Sequence, residues 1–201
     1  MLPEKVVLAS GNSGKLRELL AMLGPLGIEV ISQNEFGVPD VAETGLSFVE
    51  NAIIKARHAS RHTGLPAVAD DSGIEVDVLG GAPGIYSARY AREGASDEEN
   101  LRFLLERVAD TGISNPAARF QCLIVLLRSP VDSTPMIAQG TWHGHIVPEP
   151  RGTNGFGYDP IFYVPSHQCT SAELDPATKN QISHRGQAMN SLMEKLGLLS
   201  T

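Results

Sequence analysis

The chain has 201 residues, of which 42% are hydrophobic and 19% are charged, a composition typical of a globular protein with a buried core and not of a disordered chain. Its formal net charge of -7 disfavours binding to an extended nucleic acid, because an acidic protein repels a polyanion, whereas a small phosphorylated ligand remains possible. The sequence has no apolar run of the roughly 20 residues that a transmembrane helix needs, and no basic segment at residues 1–4. The spacing of Cys122 and Cys169 indicates neither a disulfide framework nor a zinc site. We therefore expect a cytoplasmic protein without a membrane anchor.

Hydrophobic periodicity predicts strands interleaved with helices along the whole chain. Short apolar or alternating runs predict strands at residues 6–9, 67–69, 74–78, 120–127 and 136–147, and the very apolar run 120–127 is expected at the centre of a sheet. Apolar residues with the helical period predict helices within residues 16–23, 47–63, 96–108 and 189–196. Ser47 and Ser96 each precede a Glu with capping-box spacing, and Pro25 is expected to stop the first helix. This pattern implies an α/β fold.

Residues 10–15 form a small-residue loop between the first strand and the first helix. Gly11 and Gly14 let backbone amides approach a phosphate, and the helix N-terminus and Lys15 add positive charge. The loop is not a Walker A motif, because its glycines are too close together and Leu16 replaces the Ser or Thr that binds magnesium. The pattern therefore argues against a P-loop kinase and leaves two readings, a phosphate-binding loop or an ordinary strand–helix turn.

Four carboxylates are candidates for metal binding and catalysis: Glu43, Asp70, Asp71 and Glu75. Hydrolysis of a triphosphate needs Mg²⁺ held by oxygen ligands, and a group that orients or deprotonates water. Residues 70–73 follow an apolar strand, and α/β proteins place ligands at the carboxyl ends of strands. The alternative is a polar turn whose acidic side chains are solvated.

Two further segments contain groups that suit a nucleotide. In the glycine-rich loop 151–160, Phe156 can stack on a base, or it can pack inward together with Tyr158. Lys179 and Arg185 suit a phosphate or a purine carbonyl, with ordinary basic surface as the alternative. The positive charge of Arg185 at a predicted helix start opposes the helix dipole, which favours a functional role.

Together these segments resemble the inosine/xanthosine triphosphate pyrophosphatase family over nearly the whole chain. The matching blocks are residues 8–15, 43–45, 50–52, 69–73, 80–89 and 155–160, Lys179, and residues 182–186. Several long blocks in a fixed order argue against a chance resemblance. Asn154 departs from the pattern, since a glycine is often found there in such proteins.

The resemblance implies a fold, an activity and partners. The implied fold is an elongated mixed sheet flanked by helices, with two lobes and a substrate cleft between them, in a single nucleotide pyrophosphatase domain spanning residues 1–201. The implied activity is Mg²⁺-dependent hydrolysis of deaminated purine nucleoside triphosphates (ITP, dITP and XTP) to the monophosphate and pyrophosphate, which cleanses the nucleotide pool. The implied partners are the nucleotide and a second copy of the chain in a homodimer, with no nucleic-acid polymer and no membrane.

The resemblance also implies roles for individual residues. Glu43 and Asp71 would hold magnesium, and Asp71 would serve as the general base, so that substitution of Asp70 is expected to be milder. The residues implied to bind substrate are Ser10, Gly11, Asn12, Ser13, Gly14, Lys15, Ser72, Phe156, Gly157, Tyr158, Asp159, Lys179, His184 and Arg185. Because Arg185 has only hydrogen-bond donors, it is predicted to donate to the C6 oxygen of inosine or xanthosine and to disfavour adenine, whose C6 amino group is also a donor.

Two alternative functions fit part of the pattern. One is a related house-cleaning pyrophosphatase that acts on other modified nucleotides, such as altered pyrimidines. The other is a non-catalytic sensor that binds a nucleotide and signals through a partner. Retention of Glu43 and Asp71 counts against the sensor, because binding alone needs no general base.

Overall fold

The computed structural model describes residues 4–24 and 27–198, so the expectations for residues 1–3 and Pro25 lie outside the described residues. Within these ranges, the strands are β1 (Lys5–Leu8), β2 (Glu29–Ser32), β3 (Ala67–Val76), β4 (Ala117–Leu127), β5 (Met136–Ile146), β6 (Phe162–Val164) and β7 (Cys169–Thr170). The α-helices are α1 (Ser13–Leu23), α2 (Phe48–Thr63), α3 (Asp97–Ala109), α4 (Pro176–Ile182) and α5 (His184–Lys195). None of the helices in the described part of the chain has the length and apolar character needed to cross a bilayer.

The described strands form one mixed sheet in the order β2-β1-β3-β4-β5-β6-β7. β1 pairs in parallel with both β2 and β3, and β6 pairs antiparallel with both β5 and β7. The very apolar strand β4 has three of these strands on either side, which confirms its expected central position. The predicted α/β fold with a mixed sheet and helices is therefore confirmed.

Side-chain caps begin both α2 and α3, but only α3 has the full capping box that the sequence predicts for the two helices. Ser96 and Glu99 form a capping box at the start of α3, with the Ser96 amide 2.7 Å from Glu99 Oε2. Ser47 accepts the Glu50 amide at the start of α2. Gly64 ends α2 in the left-handed conformation at a φ of 71°, which a glycine adopts without steric cost.

The chain divides into two compact units. The first contains the residues up to Asp71, Cys122–Gly140, and the residues from Arg185 onward, and the second contains Ser72–Gln121 and Thr141–His184. Strands β3, β4 and β5 contribute residues to both units.

Each unit has its own hydrophobic core. In the first unit, Leu19 of α1 and Met189 of α5 are fully buried and pack in one cluster with residues of β1 and β4. In the second unit, Leu104 of α3 packs in one cluster with Phe120 and Trp142. Burial of apolar surface of this kind is the main favourable term in the stability of each unit.

Candidate active site

Strand β3 runs through the acidic segment 70–73, which lies between the predicted strands 67–69 and 74–78 and for which a polar turn was the alternative. Asp70 is 1% exposed and Asp71 is 5% exposed, so the alternative of a turn with solvated acids is wrong. Because successive side chains of a strand point to opposite faces, the two aspartates have different neighbours. Asp71 contacts Lys55 of α2, whereas Asp70 contacts Lys15 of α1 and Arg185 of α5.

Lys55 joins the two carboxylates that the resemblance assigns to magnesium. Its Nζ lies 2.7 Å from Asp71 Oδ1 and 2.9 Å from Glu43 Oε1. Burial raises the pKa of Asp71 above its ordinary value, and the charge of Lys55 only partly opposes this. Burial alone would lower the pKa of Lys55, but the charges of Asp71, Asp70 and Glu43 outweigh it and raise that pKa. The ammonium group therefore stays charged and orients both carboxylates.

Lys55 is a residue that the sequence reasoning missed, although the sequence contains a signal for it. Ala52, Ala56 and Ala59 form the buried face of α2. Lys55 follows Ala52 by three positions and precedes Ala59 by four, so it falls on this buried face. A lysine at such a position needs a buried counter-charge.

Glu43 and Asp71 fit the needs of a magnesium ion. No three His, Cys, Asp or Glu side chains are grouped to hold a metal within residues 4–24 and 27–198. Mg²⁺ is, however, commonly held by one or two carboxylates, with substrate phosphates and water as its other ligands. Asp71 Oδ2 is buried and has no hydrogen-bond partner among the described residues. A hard oxygen atom with no competing contact is the donor that this ion prefers.

Asp70 belongs to a buried charge cluster with cations from two helices. Its Oδ2 lies 3.0 Å from Arg185 NH2 and 3.3 Å from Lys15 Nζ. Burial alone would raise the pKa of Asp70, but the charges of Lys15, Arg185 and Lys55 lower it well below its usual range. Glu18 of α1 forms a further ion pair with Arg185 NH1. Arg185 is 1% exposed, and these carboxylates balance its charge at the start of α5.

The loop at residues 10–15 is shorter than predicted, because α1 begins at Ser13. Asn12 is the N-cap, and its Oδ1 accepts the amides of Gly14 at 2.9 Å and Lys15 at 3.0 Å. A phosphate that bound these two amides would have to replace the Asn12 side chain. The cap is difficult to recognise in the sequence, because Asn12 stands among glycines and serines that also suit a phosphate-binding loop.

In the second unit, Asp159 connects the glycine-rich loop to Lys179. Asp159 Oδ2 accepts the Phe156 amide at 2.8 Å and lies 2.6 Å from Lys179 Nζ. Its Oδ1 accepts the hydroxyl of Ser171 at 2.8 Å. Gly155 has a φ of 78°, and a Cβ there would lie 2.0 Å from Asp159 Oδ2, so only glycine fits. Asp159 thus fixes the loop from inside.

The aromatic residues of this loop have different environments. Phe156 is half-buried, and the Lys179 Nζ lies 5.1 Å from its ring centroid. Tyr158 is buried and donates its hydroxyl to the Ser87 carbonyl at 2.7 Å. Tyr158 therefore packs inward, as one of the two alternatives expects, whereas Phe156 stays partly accessible, as stacking on a base requires.

His184 and Asn154 are both held by contacts in the second unit. The His184 ring is buried and stacks on Phe120, with ring centroids 4.7 Å apart and an interplanar angle of 10°. Asn154, at the position where the sequence departs from the family pattern, donates its side-chain amide to the Leu174 carbonyl at 3.0 Å. The asparagine therefore anchors the loop before Phe156.

Comparison with known proteins identifies relatives over almost the whole length of the chain. The sequence profile of the Ham1 family matches residues 6–195. A dITP/XTP pyrophosphatase of Vibrio parahaemolyticus serotype O3:K6 (strain RIMD 2210633) is 58% identical over 193 residues, which cover 96% of this chain and 96% of that protein. A dITP/XTP pyrophosphatase of Escherichia coli O157:H7 is 56% identical, covering 96% of this chain and 98% of that protein.

A solved structure shows the same fold. The HAM1 protein from Coxiella burnetii superimposes with a TM-score of 0.89 at 54% sequence identity, covering 99% of this chain and 100% of that one. The likeness covers almost the whole chain and supports the α/β fold with a mixed sheet and flanking helices.

Proposed function

Because the chain belongs to the Ham1 family, we propose that it hydrolyses deaminated purine nucleoside triphosphates (dITP, ITP and XTP) to the monophosphate and pyrophosphate. Two kinds of observation support the proposal. Relatives at 56% and 58% identity over nearly their full length are dITP/XTP pyrophosphatases. The single structural observation that carries it is the buried carboxylate of Asp71, which Lys55 holds beside Glu43, because binding alone needs no general base.

Glu43 and Asp71 would hold Mg²⁺, and Asp71 would also act as the general base. When bound, the ion neutralises charge on the phosphate oxygens. Asp71 would take the proton from the attacking water. Lys55 holds Asp71 Oδ1 at 2.7 Å and so orients this carboxylate. The water oxygen adds at the α-phosphorus, and the bond to the β-phosphate breaks to release pyrophosphate.

The substrate-binding residues of the proposal keep the positions of the family motifs. Residues 10–15, with Lys15, would bind the triphosphate, and Ser72 lies beside the aspartates on β3. Phe156, with Gly157, Tyr158 and Asp159, would form the surface for the base. Lys179, His184 and Arg185 would complete recognition of the substrate. Asp159 and Tyr158 would act by shaping the loop, since their polar atoms already have protein partners.

We further propose that the protein works as a homodimer in the cytoplasm. Family membership and the absence of a disulfide pattern between Cys122 and Cys169 support these two points. Sedimentation of the purified chain at several concentrations measures the first point, and a monomer at all concentrations would refute it.

A substrate panel with Mg²⁺ tests the activity. We expect pyrophosphate and the monophosphate from ITP, dITP and XTP, much less product from ATP, and loss of activity when a chelator removes the ion. Release of orthophosphate and a diphosphate from ITP would refute the assigned bond cleavage. Turnover of altered pyrimidine nucleotides in preference to ITP would favour the related house-cleaning enzyme, and tight binding of ITP without turnover would favour the sensor.

A further inference from the structure

The loop that carries Phe156 is also held from outside, by the first residue of α3. Asp97 Oδ2 accepts the backbone amide of Gly157 at 2.8 Å, across a separation of 60 residues. Asp97, Gly157 and Phe156 all belong to the second unit. Asp97 lies outside the sequence motifs and outside the blocks that resemble the family.

The amides on both sides of Phe156 therefore donate to carboxylates. The Phe156 amide donates to Asp159 Oδ2 at 2.8 Å, and the following amide, of Gly157, donates to Asp97 Oδ2 at 2.8 Å. These two contacts fix the peptide planes before and after the Phe156 Cα atom. Since the rotamers open to a side chain depend on its backbone dihedrals, they also fix where the ring points.

Helix capping does not account for Asp97. Ser96 and Glu99 already form the reciprocal capping box of α3. Glu98, the residue after Asp97, pairs instead with Arg102 on the same helix, at 2.7 Å. Among the described contacts of these three acidic residues, only that of Asp97 is made with the loop that carries Phe156.

Gly157 shows why the loop needs such a contact. Its φ is 59°, and a Cβ placed there would meet no atom within 4 Å. The glycine is thus required by the backbone conformation and not by a lack of space. Because glycine has more accessible conformations than any other residue, a loop built on it keeps one conformation only when other groups hold it.

We propose that Asp97 is a positioning residue for base recognition. By holding the Gly157 amide, it keeps the Phe156 ring where a purine base stacks on it, with Lys179 5.1 Å from the same ring. The inference rests on the proposed function, because stacking presupposes a nucleotide substrate. Asp97 acts through the loop and contributes to binding of the base, not to cleavage of the phosphate bond.

Steady-state kinetics of Asp97→Ala with ITP test this role. We expect KM to rise by on the order of tenfold, with kcat changed by less than about twofold, because the loop loses a hydrogen bond to a charged acceptor. Asp97→Asn keeps an oxygen acceptor for the Gly157 amide and should restore KM to near the wild-type value. Glu98→Ala removes the neighbouring charge without touching the loop and is the matched control.

Two competitors separate positioning from a structural effect. The inhibition constant of inosine, which has the base without phosphates, should rise in Asp97→Ala in parallel with KM, whereas that of pyrophosphate should not change. An unchanged KM, or an equal rise for inosine and pyrophosphate, would overturn the inference. A wild-type protein that releases no pyrophosphate from ITP would instead refute the proposed function itself, so the two failures are distinguishable.

Discussion

Asp71 is the residue whose substitution should affect turnover most directly. Asp71→Asn keeps the shape of the side chain but removes its charge and basicity, and loss of a general base costs ~10²–10⁴-fold in rate. The variant should fold, because Asp71 lies beside Lys55, which retains Glu43 as a counter-charge. Pyrophosphate release at saturating Mg²⁺ measures the effect, and near-normal turnover would show that another group activates water.

Asp70→Asn is the comparison for this experiment. The sequence predicts a milder effect on turnover, and the structure adds an effect on stability. Removing the charge leaves Arg185 and Lys15 without their shared carboxylate, and breaking a buried ion pair costs about 3–5 kcal/mol. We therefore expect a lower midpoint in urea unfolding for Asp70→Asn than for Asp71→Asn. Equal midpoints would contradict the importance of this buried cluster.

Arg185 is predicted to distinguish ITP from ATP. If its donors face the C6 oxygen, Arg185→Ala lowers kcat/KM for ITP far more than for ATP, and the ratio between them shrinks, because an unpaired buried group costs ~1–3 kcal/mol. The structure supplies a rival role, since Asp70 and Glu18 both bind the guanidinium. An equal loss for the two substrates would refute the role in base selection, and would leave phosphate binding or the positioning of Asp70 as the role of Arg185.

At the scale of elements, the cap of α3 should make stability depend on pH. The Ser96 amide, with help from Arg92, lowers the pKa of Glu99 from 4.5 to about 2. A carboxyl group whose pKa is lowered by folding stabilises the folded state above its ordinary pKa and loses this effect as the pH falls towards the lowered value. The melting temperature of Glu99→Gln should therefore lie below that of the wild type at pH 6, and the difference should shrink at pH 3.

Glu106→Gln removes another exposed carboxylate of α3, one outside the capping box, and serves as the control. A deficit of Glu99→Gln that stays constant between the two pH values would show that the capping box does not depend on the ionised carboxylate.

The strands and helices with a clear hydrophobic period were predictable, and the short ones were not. β4 and β5 are long apolar or alternating strands, and α2 and α3 carry caps that the sequence displays. β2, β6, β7 and α4 were missed because they are too short for a period to emerge. β3 continues through two aspartates, which local propensity disfavours in strands, because cations on distant helices neutralise them.

The sequence can name candidate site residues where they form contiguous motifs. Asp71, Phe156 and Arg185 stand in such motifs, and their roles stay predictions. Lys55 and Asp97 stand outside them, and their partners are far away in the sequence. A contact between residues distant in the chain is visible only after folding, so residues of this kind escape motif reasoning.

At the scale of the whole molecule, the two units each have a core that can be weakened separately. Leu19→Ala in the first unit and Leu104→Ala in the second should each cost about 2–5 kcal/mol, because both side chains are fully buried. Since β3, β4 and β5 contribute residues to both units, we expect one cooperative transition in each variant. Circular dichroism and the fluorescence of Trp142, the single tryptophan, should report the same midpoint.

Two midpoints in Leu19→Ala, with the tryptophan signal lost at the higher temperature, would contradict this expectation. They would show that the second unit remains folded when the core of the first has melted.

Asp70 and Asp71 point to opposite faces of β3, so the position of the proposed general base depends on the number of residues that precede it in the strand. Inserting one residue between Ala67 and Asp70 would turn every later side chain of the strand to the other face, and Asp70 would then take the place of Asp71 beside Lys55. The tolerance of the chain to insertions and deletions should therefore differ from one segment to another. Indels are expected to survive in the exposed stretch 113–115 between α3 and β4, whereas in β3 they would change which side chains face Lys55.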